Sequence, residues 1–187
     1  MDYIRQLILI ILFLASQNTL ITRGCSVIRI VTPDELIQQA YTVVRARAVD
    51  YERPPNALGI GIIRFAVEEV IKGNTIIPNP LRIEGTLNQY DDFNDRRVPY
   101  NLVRPGGRMG SCFARSYKQN GNFLLFLNRQ YAPYWSALAP VNEQLHMSPT
   151  VDPWLQWVKD RVKSMANNRP SNQFLTSGAA KSRSFFL

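Results

Sequence analysis

The stretch VVRARAVDY, residues 43–51, has the alternating pattern of a β-strand with one buried face. Its two arginines alternate with small and β-branched apolar residues, as expected for a strand lying between a core and solvent. The segment IIRFAVEEVIKG, residues 62–73, has the same period, with Ile63 and Phe65 on one face and Arg64 on the other. The two segments predict long strands of a sheet that covers a core on one side.

Further segments predict the rest of a mainly β fold. Helices are expected to begin at Thr32-Pro33 and at Asp152-Pro153, because each pair combines a capping side chain with proline at the first helical position. The remaining elements are strands at 81–87, at 122–129 and, in short form, near 137–138, with a long polar connection at 88–111. This set predicts an OB-fold, a five-stranded Greek-key β-barrel with flanking N- and C-terminal α-helices, because a closed sheet hides its own edges.

The start of the chain has the pattern of a secretory signal peptide. Arg5 precedes a nine-residue apolar run at 7–15, which is too short to span a bilayer. Thr22 and Gly24 supply the small residues that favour cleavage before Cys25, and cleavage after Ser16 is the alternative.

These features predict the domain organisation. We expect a signal peptide at 1–24, a single domain at 25–166, and a disordered tail at 167–187, where Asn, Ser, Gly and Arg predominate. The protein is therefore expected to be secreted, with no transmembrane segment in its mature form.

The formal charge of +8 and the pI of 9.8 favour anionic partners, among them nucleic acid, acidic lipid and sulfated polysaccharide. Export argues against nucleic acid. A basic stripe across neighbouring strands is a candidate polyanion-binding surface, and a solvated sheet face is the alternative for the same residues: Arg45, Arg47, Arg64 and Arg82.

Few side chains are available for catalysis or metal binding. With one histidine, His146, and two cysteines, Cys25 and Cys112, we expect no zinc site built from this chain's own side chains, no cofactor and no enzymatic activity. In an exported protein the two cysteines predict a disulfide, with free or intermolecular thiols as the alternative. Tyr131, Tyr134 and Trp135 lie around Pro133, which favours packing against the barrel over an aromatic binding platform.

The order of features resembles one family. A leading cysteine, a short helix, the two strand segments VVRARAVDY and IIRFAVEEVIKG, GSCF at 110–113 and GNFLLFLN at 121–128 resemble the netrin-module superfamily. That superfamily includes tissue inhibitors of metalloproteinases and the laminin-binding domain at the start of agrin, which PYWSALAPVNEQL at 133–145 and the terminal helix resemble especially. The resemblance covers Cys25 to Val162. It implies an OB barrel in which the first cysteine is bonded to one in the loop before a late strand.

The resemblance also implies a mechanism. In the metalloproteinase inhibitors, the α-amine and carbonyl oxygen of the first cysteine, here Cys25, chelate the zinc of an extracellular metalloprotease at the position kept open for water. The next residue, Ser26, would enter the specificity pocket. The loop before the second cysteine would contact the active-site cleft through Met109, Gly110 and Ser111. This chain departs from the pattern at Val27, which replaces a second early cysteine.

Two other functional classes remain open. The chain is alternatively a non-inhibitory extracellular binding module, similar to the agrin domain, whose partner is a matrix protein or a sulfated glycan. A nucleic-acid-binding OB protein is the third class, favoured by fold and charge but opposed by export and the expected disulfide.

Overall fold

The computed structural model describes residues 27–55, 59–95, 97–109, 112–146 and 151–168. Within them, six strands form a nearly closed, barrel-shaped sheet in the order β4-β3-β2-β1-β5-β6, accompanied by three helices. The strands are β1 Thr42–Arg53, β2 Gly61–Lys72, β3 Leu81–Asn88, β4 Ser116–Lys118, β5 Asn122–Leu127 and β6 Asn142–Gln144. The helices are α1 Pro33–Gln39, α2 Pro105–Arg108 and α3 Pro153–Asn167.

The mainly β prediction is confirmed, and the strand count differs from the five expected. The four long strands occur where the sequence predicts them, although β1 extends to Arg53, two residues beyond the segment at 43–51. The short strand expected near 137–138 is wrong, because Leu138 has a φ of 62° and its N–H donates to the Cys112 carbonyl at 3.0 Å. The chain at Leu138 therefore bonds to the loop at Cys112 and not to a strand. The last strand of the sheet, β6, begins four residues after Leu138, and the sheet also contains β4, which the sequence did not predict.

Strand β1 occupies the centre of the sheet. It pairs antiparallel with β2 on one side, where Ala48 faces Phe65, and with β5 on the other, where Ala46 faces Phe123. Four register irregularities interrupt the β1–β2 ladder. Such irregularities bend a strand and increase its twist, which allows a sheet to curl into a barrel.

The apolar residues form two clusters on opposite faces of the sheet. One fills the barrel interior and includes Ile63, Phe65 and Phe123. The other lies under the helices, where Leu124 and Phe126 meet the buried faces of α1 and α3. Strand β5 is therefore buried on both faces, which explains why FLLFL lacks polar alternation.

The starts of α1 and α3 are capped by the side chains that the sequence pattern indicates, and the end of α1 is capped by a lysine that it does not. Thr32 and Glu35 form a capping box at the start of α1. At the other end of α1, Lys72 Nζ from β2 donates to the carbonyls of Gln38 and Ala40 at 3.0 and 2.6 Å. Asp152 caps α3 by accepting from Trp154 N at 2.8 Å and Leu155 N at 3.0 Å. Among the described residues, none of the helices is both long and apolar enough to cross a lipid bilayer.

Replacing Asp152 by alanine is expected to destabilise the protein by about 2 kcal/mol, because a helix cap is lost with two buried acceptor contacts. The carboxylate also accepts from His146 N at 2.8 Å, so it ties β6 to α3. Asp152→Asn retains one acceptor oxygen, so its loss of unfolding free energy should be less than half that of Asp152→Ala. Urea denaturation followed by tryptophan fluorescence measures both, and equal losses for the two variants would contradict the capping role.

Candidate functional site

Most of the predicted protease-contact residues lie outside the described residues. These are Cys25, Ser26, Gly110 and Ser111. Met109, which follows α2, is described and is 88% exposed. Cys112 has a φ of 56° and lies in the loop between α2 and β4. Its disulfide with Cys25 stays a prediction.

The segment that follows Cys25 presents apolar side chains to solvent. Ile28 is fully exposed and Ile30 is 42% exposed. A cavity of about 300 Å³ is lined by residues 30–33 together with Asn101 and Leu102. The start of the described chain therefore lies beside the long connection that continues to Met109.

The four arginines of the predicted basic stripe do lie on neighbouring strands, but each faces an acidic partner. Bidentate pairs join Arg64 to Asp50, and Arg82 to Glu52 at 2.6 Å. The other two pairs involve Arg47 with Glu68 at 3.3 Å, and Arg45 with Glu68 and Glu69 at 3.6 and 3.7 Å.

This pairing neutralises the stripe. Four arginines are matched by four carboxylates, and the guanidinium of Arg64 lowers the pKa of Asp50 by hydrogen bonding to it. A polyanion at the stripe would compete with these carboxylates for the guanidinium groups. The chain's positive excess lies mostly elsewhere, since six of its 22 Lys and Arg but only one of its 14 Asp and Glu fall outside the described residues. Binding of sulfated polysaccharide at the stripe stays a prediction.

The most unusual feature of the described residues is a line of polar side chains between the edge strands β4 and β6, fully buried at Arg104 and Glu143 and exposed at Asp91. We call it the polar seam. It comprises Asp91, Asp92 and Asn94 from the long connection, Arg104 before α2, Lys118 on β4, and Asn142, Glu143 and Gln144 on β6.

Arg104 lies at the centre of the seam and is fully buried. Its Nη2 donates to the Ser116 carbonyl on β4 at 2.6 Å, and its Nε donates to the Asn142 carbonyl on β6 at 2.9 Å. Its Nη1 donates to Asp92 Oδ2 at 2.6 Å. One guanidinium thus connects the two edge strands, and its charge is balanced by a carboxylate.

The guanidinium also contacts the aromatic core. Its central carbon lies 5.3 Å from the ring centroid of Tyr117 and 5.2 Å from that of Phe123. These two rings and Phe65 pack edge to face with centroids 5.1–6.0 Å apart. The contacts add cation–π attraction to the hydrogen bonds of a buried cation.

Glu143 is fully buried on β6 beside Arg104. Its Oε1 accepts from the backbone N–H of Arg104 at 3.1 Å, and its Oε2 accepts from Asn94 Nδ2 at 3.3 Å. Burial raises the pKa of Glu143 to about 7, although the nearby Arg104 charge opposes the shift. The carboxyl group therefore titrates near neutral pH.

The long connection is fastened to both edge strands by two adjacent aspartates. Asp91 accepts from Lys118 Nζ on β4 at 2.7 Å and from Gln144 Nε2 on β6 at 2.6 Å, and the Lys118 hydrogen bond lowers its pKa. Asp92 accepts from Gly106 N at 2.9 Å. A Cβ on Gly106 would meet the Asp92 carboxylate at 2.6 Å, so only glycine permits this approach.

Sequence reasoning missed the seam. Arg104 and the aspartates stand in a polar connection, where charged residues are normally solvated, and Asn142-Glu143-Gln144 has no apolar member to indicate burial. The one available signal was a short polar triplet enclosed by apolar residues at 137–141 and Leu145. No periodicity connects residues 91–94 with 142–144, because they meet only through the fold.

Among the described residues, no group of three or more His, Cys, Asp or Glu side chains is arranged to hold a metal ion. His146 stacks on Phe93 with ring centroids 3.8 Å apart. Comparison with known proteins gave no match to a protein-family model and no match to a curated protein.

Replacing Arg104 by methionine is expected to destabilise the protein by about 3–5 kcal/mol, because it leaves Asp92 and two strand carbonyls buried without their donor. Arg104→Lys should recover only part of this, since one ammonium cannot reach both edge strands and Asp92 in the same geometry. Arg161→Met, which removes an exposed pair with Asp34, is the control and should cost less than about 1 kcal/mol. Urea denaturation measures all three, and a loss at Arg104 no larger than at Arg161 would contradict the role of the seam.

Stability should fall as pH rises from 5 to 8, because the folded state keeps a proton on Glu143 that the unfolded state releases near the ordinary glutamate pKa of 4.5. The pKa of about 7 in the folded state sets the upper limit of this pH window. Across the window the free energy of unfolding should fall by about 3 kcal/mol. Glu143→Gln should remove this part of the pH dependence, while every other titrating group is retained. Chemical denaturation at pH 5, 6, 7 and 8 tests it, and parallel profiles for the two proteins would exclude Glu143 as the source.

Proposed function

We propose that this protein is a secreted OB-fold protein of the netrin-module type that inhibits a metalloprotease. The inhibitory surface would comprise the segment beginning at Cys25 and the loop ending at Cys112. The observation that carries the proposal is the exposure of Ile28, on the segment that follows Cys25, and of Met109, in the loop that precedes Cys112. Residues 30–33, which follow Ile28, line a cavity with Asn101 and Leu102 of the connection that leads to Met109.

The strand connectivity supports the OB-fold. Strands β1, β2 and β3 form an antiparallel meander, and β1 also pairs with β5, which pairs with β6. Counting these antiparallel steps makes β6 parallel to β3. In an OB-fold the strands β3-β2-β1-β5-β6 would be the five barrel strands, with the opening between β3 and β6. Strand β4 lies in that opening, parallel to β3. A partly open barrel is the form expected of an OB-fold.

The exposed apolar side chains support a contact surface. Ile28 is fully exposed and Met109 is 88% exposed. Singly exposed apolar residues are common on protein surfaces, so the support comes from their positions, three residues after Cys25 and three residues before Cys112. A wedge that enters a protease cleft must project from a rigid body. Here the adjoining connection is fixed to β4 and β6 by the polar seam.

The zinc-wedge mechanism requires a free amine on Cys25. One alanine added before Cys25 should abolish inhibition, because it converts the amine to an amide, which is a poor zinc ligand, and places extra bulk in the metal site. Mass spectrometry of the secreted protein first establishes the mature N-terminus. Cleavage of a fluorogenic peptide by a panel of extracellular metalloproteases then measures inhibition by the native and extended forms.

Two further variants locate the surface. Met109→Glu should weaken inhibition, whereas Ile76→Glu, at an 81% exposed apolar residue between β2 and β3, is the matched control and should not. Equal inhibition by native and alanine-extended protein would exclude the wedge. A native protein that begins at Cys25 but inhibits no protease would favour the non-inhibitory binding module, with a matrix protein or sulfated glycan as its partner.

A further inference from the structure

A second site can be inferred at a pocket distant in sequence from Met109. The pocket has a volume of about 430 Å³ and lies where the C-terminal end of α1 meets the loop that follows β5. Lys72 of β2 also lines the pocket, and its Nζ donates to the carbonyls of Gln38 and Ala40. The side chains available to a ligand from the two segments are Gln38, Gln39, Tyr41, Arg129, Gln130 and Tyr134.

Hydrogen bonds hold both walls of this pocket in place. Tyr41 N donates to the Leu127 carbonyl at 2.9 Å, and Tyr134 N donates to the Phe126 carbonyl at 2.6 Å. Asn128 Oδ1 shapes the loop between them by accepting from Gln130 N at 2.8 Å and Ala132 N at 3.1 Å. A pocket formed in advance loses less ordering entropy when a ligand binds.

Three of the residues that line this pocket are exposed glutamines. They are Gln38, Gln39 and Gln130, and their side-chain amides make no hydrogen bond to another described residue. Each amide offers two N–H donors and a carbonyl acceptor. Sugar hydroxyls both donate and accept, so neighbouring hydroxyls on a pyranose ring match this set.

The pocket also contains aromatic surface. Tyr41 is 46% exposed and packs edge to face on Tyr131, with centroids 6.4 Å apart, while Tyr134 is half-buried. A tyrosine ring offers an apolar body with a polar tip. The C–H-rich face of a sugar requires a surface of this kind, and the hydroxyls at its edge require the amides.

Other ligand classes fit less well. No carboxylate lines the pocket among the described residues, so a cationic ligand would have no counter-charge. A peptide strand would require an open sheet edge, but β5 is paired with β1 on one side. On the other side it pairs with β6 at residues 123–125 and with Pro133 and Tyr134 at residues 126–127.

We propose that this pocket binds a sugar unit of an oligosaccharide. Tyr41 and Tyr134 provide the apolar surface for the ring, and Gln38, Gln39 and Gln130 hydrogen-bond its hydroxyls. Arg129 lies where an acidic substituent would be accommodated. The site does not depend on protease inhibition, because it uses none of the residues assigned to that function.

The experiment is a titration of the full secreted chain with three trisaccharides, followed by ligand-observed NMR and calorimetry. The probes are a β-linked glucose trisaccharide, an N-acetylglucosamine trisaccharide and a uronic-acid-containing trisaccharide. Binding of at least one probe is expected. Gln38→Ala and Tyr134→Ala should each weaken it about tenfold, as expected when a hydrogen bond or a stacking contact worth roughly 1.4 kcal/mol is lost.

Trp135→Ala is the matched control. Trp135 is 71% exposed in the same loop but does not line the pocket, so this variant should bind as the native protein does. Arg129→Ala tests whether Arg129 accommodates an acidic substituent. It should weaken binding of the uronic-acid probe and leave binding of the other two probes unchanged. Absence of binding by all three probes at millimolar concentration would overturn the proposal. Loss of binding in Trp135→Ala with retention in Gln38→Ala would overturn it as well.

Discussion

The structure depends on a buried guanidinium at the place where a closed barrel would have backbone hydrogen bonds. Arg104 donates to a carbonyl on β4 and to a carbonyl on β6, and Asp92 balances its charge. Burying the guanidinium costs desolvation free energy, because a charge is removed from water. Removing one partner from the buried pair is strongly destabilising, because it leaves an uncompensated buried charge. The two edge strands are therefore held together by a side chain that belongs to neither.

This constraint determines where the long connection lies. Its aspartates bind β4 and β6 together with Arg104, so the chain arrives at Met109 from a fixed point on the barrel. Because Glu143 titrates near neutral pH within this network, protonation and the attachment of the connection are linked. The proposed inhibitory surface and the polar seam thus share a structural basis.

Arginines serve two different purposes in this protein, and net charge conceals the difference. The four on the sheet face form pairs with carboxylates at partly exposed positions, where each pair contributes little to stability. Arg104 is buried, makes hydrogen bonds to both edges and contacts aromatic rings. Identical side chains acquire different roles because the surrounding dielectric and the available partners differ.

Local sequence patterns account for the long strands, the capping box of α1, the Asp152 cap of α3 and the continuous burial of β5. Each follows from periodicity or from a side chain that bonds to its own neighbours. Tertiary contacts were needed to define strand β4, the neutral pairing of the arginine stripe and the seam between residues 91–104 and 142–144. A residue's burial and its partners depend on segments that are distant in sequence. Local patterns do not specify which distant segment packs against a given residue.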